Sequence, residues 1–299
     1  DERGTIVGEG WHESYGGPHA EVHALRAAGE KSRGGALIVT LEPCCHQGKT
    51  PPCTEGVIQA GIRRVIVGMR DPFPAVAGKG IERLRAAGIE VEVGMREREA
   101  RELNRPFTTL VELNRPYVHA KWAMTWDGKT ASRSGSSKWI SNEESRGVVH
   151  DLRRRMDGIL VGIGTVREDD PLLTARPAGT RSLLRIVLDP TASMRSDVQL
   201  LRTPEMGPVM VVTGAGASSG ERERLTKAGA ELLVAGDGTD RGIALGKLLE
   251  ELGKRKLTNL LVEGGSKTLG KFFDAKLVDE THVFVGSKVI GGEEARGAV

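Results

Sequence analysis

The 299-residue sequence holds three cysteines, and all of them fall at positions 44, 45 and 53. So few thiols, so tightly grouped, exclude a disulfide framework and the small secreted scaffolds that depend on one; clustered cysteines of this kind bind metal or react. Long hydrophobic runs are missing as well. No stretch approaches the roughly 18 apolar residues of a membrane span, and residues 1–5 lack the charged-then-apolar form of a signal peptide. A cytoplasmic location without a membrane partner is the expectation. Aromatic residues make up 4% of the chain and the net charge is +3, from 43 basic and 40 acidic residues interleaved along its length. Neither a stacking platform nor a basic stripe for nucleic acid results. The expected partner is a small molecule, with a homo-oligomer left open.

What is present suits a globular chain: 38% hydrophobic and 28% charged residues, without repeats or low-complexity tracts. The length predicts two domains of roughly 100 to 200 residues. The first third alternates short apolar runs and helix-like segments, at residues 5–7, 20–28, 36–41, 54–60, 64–67, 81–87 and 89–93, which is an α/β rhythm. Gly29, Gly61 and Gly88 each follow a helical pattern, as helix-closing residues do. After a charged helical stretch at 96–104, Arg105-Pro106 and Asn114-Arg115-Pro116 predict a linker over 105–116, hence domains at 1–113 and 114–299. The second domain is α/β too, with strands expected near 117–123, 158–161, 184–188, 209–213, 232–234, 257–262 and 281–285.

The strongest local signal is His19-Ala20-Glu21 opening a helix, followed by Pro43-Cys44 and then Cys53. Zinc takes neutral imidazole and thiolate ligands tetrahedrally, and three protein ligands leave a fourth position for a reactive water. One His and two Cys fit that arithmetic. Pro43 suits a first helical position, which would place Cys44 where free amides and the helix dipole favour a thiolate. Cys45 is an alternative ligand, although adjacent side chains diverge. Glu21, two residues from His19, points at a different angle around the helix and is free to act as a proton shuttle. His-x-Glu with Pro-Cys-x-x-Cys is the zinc-deaminase signature, but here the second cysteine is nine residues on. The competing reading has small buried cysteines and helix-surface histidines. A metalloprotease is set aside because Ala20, not Glu, follows His19.

The segments Gly17-Pro18-His19-Ala20-Glu21-Val22-His23-Ala24-Leu25 and Thr40-Leu41-Glu42-Pro43-Cys44-Cys45-His46-Gln47-Gly48-Lys49-Thr50-Pro51-Pro52-Cys53 closely resemble the bifunctional deaminase/reductase family of riboflavin biosynthesis, which has the longer cysteine spacing. The resemblance implies a cytidine-deaminase-like α/β/α domain followed by a dihydrofolate-reductase-like α/β domain. It implies zinc-dependent deamination of 2,5-diamino-6-(5-phosphoribosylamino)pyrimidin-4-one, then NADPH-dependent reduction of the ribosyl side chain to ribityl. It further implies that His12, His46 and Lys49 hold the ribose phosphate, for which a cation and imidazole donors are chemically suited. The alternative is a nucleic-acid or free-base zinc deaminase with an unrelated appended domain.

The second domain has no cysteine, so its chemistry should rest on a bound cofactor or on positioned polar groups. Gly162-Ile163-Gly164-Thr165 and Val262-Glu263-Gly264-Gly265-Ser266-Lys267-Thr268 each run from an apolar strand through glycine, where backbone amides can approach a phosphate. Neither is the G-x-G-x-x-G fingerprint, so an ordinary Rossmann fold is unsupported. The resemblance continues through Trp126-Asp127-Gly128-Lys129, Ser136-Ser137-Lys138-Trp139-Ile140, residues 165–171 and Val262-Glu263-Gly264-Gly265. It implies NADPH contacts at Ala123, Trp139, Thr165, Asp169, Gly265, Ser266, Lys267, Thr268, Leu269, Gly270 and Lys271. Substrate contacts are implied at Lys121, Ser137, Arg153, Leu173, Arg176 and Glu263. Arg153 and Arg176 are able to grip a phosphate bidentately, although Arg153 sits in a run of three arginines that also reads as a solvated helix face. Trp126 stands where the family usually has a smaller apolar residue. Relatives carry an N-terminal helix, a Pro-Asn-Pro turn and a final reductase strand and helix that these residues lack, so both ends of the sequence read as cut short.

Overall fold

A computed structural model describes residues 1–297 apart from 2, 15, 134–139, 180, 181, 240, 241 and 293. The chain divides into two compact units, Asp1–Glu112 and Leu113–Val299. In the first, α1 (Ala20–Ala28), β1 (Ala36–Leu41), α2 (Cys53–Gln59), β2 (Arg64–Met69), α3 (Lys79–Ala86), β3 (Glu90–Val93) and α4 (Glu97–Leu103) alternate, and α5 (Arg105–Leu113) follows. The strands form a parallel sheet in the order β1-β2-β3. Central β2 is buried from Val65 to Met69, as a strand covered on both faces must be, which is why its sequence is an unbroken apolar run. Val57, Ile81 and Leu84 of the helices close over Val65 and Val67 in one core, each contributing about 1.5–3 kcal/mol by leaving water.

Two expectations for this unit are corrected. Residues 5–7 form no strand; the segment instead lies directly on α1, so closely that a Cβ on Gly8 would stand 2.4 Å from the Ala24 carbonyl oxygen and one on Gly10 2.5 Å from that of Ala20. The expected linker over 105–116 is mostly helix, α5. Pro106 is harmless there because it falls in the first turn, where its missing N–H has no partner to lose.

The second unit contains β4 (Tyr117–Thr125), β5 (Lys129–Ala131), α6 (Glu143–Arg154), β6 (Gly158–Gly162), α7 (Ile163–Asp169), β7 (Leu184–Leu188), α8 (Gln199–Arg202), β8 (Val209–Thr213), α9 (Ser219–Lys227), β9 (Glu231–Val234), α10 (Leu245–Lys254), β10 (Asn259–Val262), α11 (Ser266–Asp274), β11 (Glu280–Gly286) and β12 (Arg296–Gly297). Seven of these strands make one sheet, ordered β11-β4-β10-β6-β7-β8-β9, with every neighbouring pair parallel. Separate apolar clusters cover its faces, one including Phe272 and Leu269 of α11 and the other Val166 of α7. Because β10 inserts between β4 and β6, the chain leaves β6 towards β7 and leaves β10 in the opposite direction. Such a reversal opens a crevice outside the carboxyl ends of the strands.

Tertiary approach decides two helical glycines differently. Gly147 in α6 is exposed and a Cβ there would meet nothing, whereas a Cβ on Gly253 in α10 would lie 2.1 Å from the Asn114 carbonyl oxygen. Gly147→Ala should therefore stabilise the protein by about 1 kcal/mol through helix propensity. Gly253→Ala should destabilise it despite the same propensity gain. Urea unfolding of the two variants checks this, and equal shifts of one sign would contradict it.

Candidate functional site

His19 is the extended residue before α1 (φ −76°, ψ 167°), which aims its ring away from the helix barrel. Its Nδ1 lies 3.5 Å from the Cys44 sulfur and 3.3 Å from the Cys53 sulfur. All three donor atoms fall within 4.8 Å of one another. Ligands at about 2.0–2.3 Å from a tetrahedral zinc stand about 3.6 Å apart, so this donor set fits the metal in both chemistry and spacing.

Cys44 reaches this position by a route other than the expected one. Pro43 and Cys44 lie in irregular chain after β1, and the helix starts at Cys53, with Pro52 before it. The intervening loop is held out of helix by Gly48 and by Pro51-Pro52, since a residue preceding proline is pushed to extended backbone. The free amides of that helix start still serve Cys44. The Cys53 backbone N–H donates to the Cys44 sulfur at 3.3 Å, and Thr54 N–H donates to the Cys44 carbonyl at 3.1 Å. The Cys53 thiol, the His19 ring and that backbone N–H together lower the Cys44 thiol to about 4, while Cys53 is pushed up as the protonated partner. Cys45 turns elsewhere: its sulfur lies 4.0 Å from the Ala75 carbonyl, and burial pushes its thiol up.

Glu21 sits in the first turn of α1, 9% exposed, and burial pushes its carboxyl above the usual carboxylate range. A carboxyl moved in that direction is suited to exchanging protons near neutral pH. His12 is exposed, its Nδ1 3.1 Å from the Pro18 carbonyl and its ring edge-on to His19 with centroids 5.5 Å apart. His46 stands 6.0 Å from the Phe73 ring, and its Nδ1 is buried without a partner. Lys49 extends beside Gly16, in the loop leading to His19.

Sequence reasoning missed Glu42. It is 3% exposed, and its carboxylate accepts the backbone N–H groups of Asp71 (3.2 Å), Gly78 (2.9 Å) and Ile81 (3.1 Å). This ties the chain just before Cys44 to the 71–81 segment. The available signal was an acid at the end of an apolar strand, directly before Pro-Cys.

In the second unit a cavity of about 980 Å³ occupies the crevice at the strand ends. Lys121, Ala123, Thr165, Asp169, Glu263, Gly265, Ser266, Lys267, Thr268 and Lys271 all line it. The starts of α7 and α11 both open onto it, and a Cβ on Gly164 or Gly265 would meet no atom, leaving room for a ligand against bare backbone. A dinucleotide with phosphates fits such a site. Leu269 is instead fully buried in the core, and Gly270 lies outside the lining. Ser137 and Trp139 fall outside the described residues.

Arg153 is not part of a solvated basic face. Its side chain is 15% exposed, with Nε and Nη2 donating to the Glu263 carboxylate at 2.7 and 2.6 Å and Nη1 donating to the Thr174 carbonyl at 3.0 Å. Burial would push Glu263 up, but the Arg153 guanidinium outweighs it and holds the carboxyl below its ordinary range. Lys121, facing the same carboxylate, is pushed down by burial, with Glu263 opposing that shift. Leu173 is buried with φ 52°, and Arg176 is exposed. His150, also overlooked in the sequence, has a buried Nδ1 without a partner, and burial lowers its pKa with help from Arg153 and Arg176.

Glu42→Ala should weaken zinc binding about 10- to 100-fold, the range for lost outer-shell support, while Cys45→Ala keeps full zinc content. Competition with a chromophoric chelator measures both. Unchanged affinity in Glu42→Ala would remove its supporting role.

Residues 1–69 match the model for the cytidine and deoxycytidylate deaminase zinc-binding region, and residues 116–299 match the RibD C-terminal domain. The chain is 46% identical over 291 residues to the riboflavin biosynthesis protein RibD of Aquifex aeolicus, covering 97% of this chain and 80% of that one. It is 38% identical over 301 residues to RibD of Escherichia coli, covering 98% and 81%. Among solved structures, Acinetobacter baumannii RibD matches with a TM-score of 0.84 at 36% identity, covering 98% of this chain and 80% of that one. The Thermotoga maritima diaminohydroxyphosphoribosylaminopyrimidine deaminase/5-amino-6-(5-phosphoribosylamino)uracil reductase matches with a TM-score of 0.82 at 37% identity, covering 98% and 79%. With a cysteine–histidine metal cluster in one unit and a strand-end cofactor crevice in the other, the chain belongs to the RibD family of riboflavin biosynthesis proteins, bifunctional deaminase/reductases dependent on zinc and NADPH.

Proposed function

We propose that residues 1–113 deaminate 2,5-diamino-6-(5-phosphoribosylamino)pyrimidin-4-one and that residues 114–299 reduce the ribosyl side chain of the product to ribityl. The convergence of His19, Cys44 and Cys53 beside the buried Glu21 carries this reading. When bound, zinc supplies a water acidic enough to attack at neutral pH, and NADPH supplies hydride. Glu21 takes the proton released by the attacking water and delivers it to the ring nitrogen; it then takes the proton of the newly added hydroxyl, as the carbonyl forms, and hands it to the amine, which leaves as ammonia. His12, His46 and Lys49 hold the ribose phosphate. The loop between Cys44 and Cys53 is therefore a substrate-binding insertion as well as a ligand carrier.

In the reductase half, Lys121 and Glu263 are the polar pair that meets the sugar, and Arg153 fixes the direction of the Glu263 carboxylate. Asp169, Thr165, Ala123 and the polar start of α11 hold the nicotinamide dinucleotide. With Arg153 occupied by Glu263, exposed Arg176 is the arginine left to approach the substrate phosphate. Sparse aromatics and balanced charge support a small-molecule substrate over nucleic acid. Among the described residues no helix is long and apolar enough to cross a membrane, in keeping with a cytoplasmic enzyme. A homo-oligomer completes the reading.

Incubating the zinc-loaded protein with the diaminopyrimidine substrate and NADPH should oxidise the nicotinamide; a folded, zinc-loaded sample that fails to do so would sink the proposal. Glu21→Gln should retain zinc, lose about 10²- to 10⁴-fold in deamination, and still reduce the deaminated compound. Lys121 is displaced downward by burial, so it loses its proton at lower pH than a free lysine. The alkaline limb of reductase kcat/KM should accordingly fall below the ordinary lysine range. Lys121→Arg should move that limb upward, and a limb that stays in place would exclude Lys121 as its origin.

A further inference from the structure

A second set of metal-ligating side chains lies near the amino ends of β4, β10 and β11, the end of the sheet opposite the reductase cavity. Glu280 is the register partner of His119, and His282 follows two residues later on β11, so all three project from one face. His119 Nδ1 is 3.1 Å from His282 Nε2. Glu280 Oε1 is 3.3 Å from His282 Nε2, and its Oε2 is 3.9 Å from His119 Nδ1. Nitrogen and oxygen ligands of a tetrahedral zinc stand about 3.4 Å apart at the usual bond lengths, and these separations bracket that value.

The surroundings are arranged as they are around a metal ligand. His119 Nε2–H donates to the Asn259 Oδ1 at 3.1 Å. That oxygen is identified because the Asn259 amide nitrogen donates to the Thr258 hydroxyl at 3.1 Å, which in turn donates to Asp157 at 2.6 Å. The tautomer of His119 is thereby set, with its Nδ1 lone pair aimed at His282 and Glu280. Outer hydrogen bonds of this kind orient ligating imidazoles. His119 is buried, while the Glu280 and His282 side chains are 45% and 25% exposed, which leaves one open side for an ion and its water.

We propose that His119, Glu280 and His282 bind a divalent ion of the zinc class, separate from the deaminase metal, and that this ion clips the edge strand β11 to β4. The donor set of two imidazoles and a carboxylate, without sulfur, selects ions such as zinc, copper or nickel over magnesium or calcium. A bare hydrogen bond between the two imidazoles is the rival account of the short nitrogen–nitrogen distance.

Equilibrium dialysis of the full chain against buffered free zinc tests the proposal. Wild type should hold two zinc ions per chain, while His282→Ala, Glu280→Ala and Cys44→Ala should each hold one. The β11 variants should keep deaminase and reductase activity. One zinc per wild-type chain, or two in both His282→Ala and Glu280→Ala, overturns it. Cobalt added to wild type holding one zinc per chain in the cysteine site should give a ligand-field spectrum lacking a thiolate charge-transfer band, and no such spectrum in His282→Ala treated in the same way. A thiolate band, or the same spectrum in the variant, overturns the assignment. Added zinc should raise the melting midpoint of wild type above that of the one-zinc protein, because binding the folded state alone stabilises it; an unchanged midpoint overturns the clip.

Discussion

The backbone N–H of Cys53, 3.3 Å from the Cys44 sulfur, is the contact on which the deaminase half turns. It exists because β1 ends and α2 begins side by side, so that an amide with no helical partner faces a thiol delivered by the strand's exit loop. The Cys53 thiol and the His19 ring lower the Cys44 thiol, this amide adds to the effect, and it fixes the loop that carries Cys44. Glu42 applies the same principle two residues further back, gathering three backbone amides on one buried carboxylate. Between them these contacts hold both sulfurs at ligand spacing from the His19 imidazole.

The reductase half is organised on the same constraint at a larger scale. Parallel strands deliver their carboxyl ends to one edge, and α7 and α11 start there on opposite faces of the sheet. The reversal of chain direction between β6 and β10 keeps those helix starts apart, and the cavity is the space left between them. Glu263 lines it and is held from behind in a buried ion pair with Arg153, which sets the polarity of that wall. Such a pair is costly to desolvate and is weak evidence for stability. Its effect here is geometric, because a carboxylate gripped at both oxygens presents a fixed direction to Lys121. The downward shift of Lys121 shows that burial exceeds the attraction of this carboxylate.

Much of this was legible in the sequence because it is written in local pattern. The alternation of apolar runs marked the strands, including 36–41, 184–188 and 209–213 with their observed bounds. Gly29, Gly61 and Gly88 all adopt the positive φ expected after a helix. His19, Glu21 and the clustered cysteines announced zinc chemistry by residue type, while the nine-residue spacing from Cys44 to Cys53 departed from the general signature and fitted only through the family resemblance. Residues 5–7 misled because an apolar triplet next to glycines looks the same whether it pairs with a strand or lies on a helix. Pro106 misled because proline marks a helix start as readily as a break.

What tertiary structure decided is the partner of each polar group. Nothing in three successive arginines says that Arg153 turns inward to Glu263, 110 residues away, while Arg154 pairs with Asp151 at the surface. Likewise Glu42 finds its three amides 29 to 39 residues along the chain. The choice of Cys44 over Cys45 is of the same kind, since both follow the same proline and only the packed loop determines which sulfur meets His19. Residue type and spacing fix which chemistry is available, because they act over a few bonds. The fold fixes which groups carry it out, because a hydrogen bond or ligand contact depends on ångström distances between segments far apart in the chain.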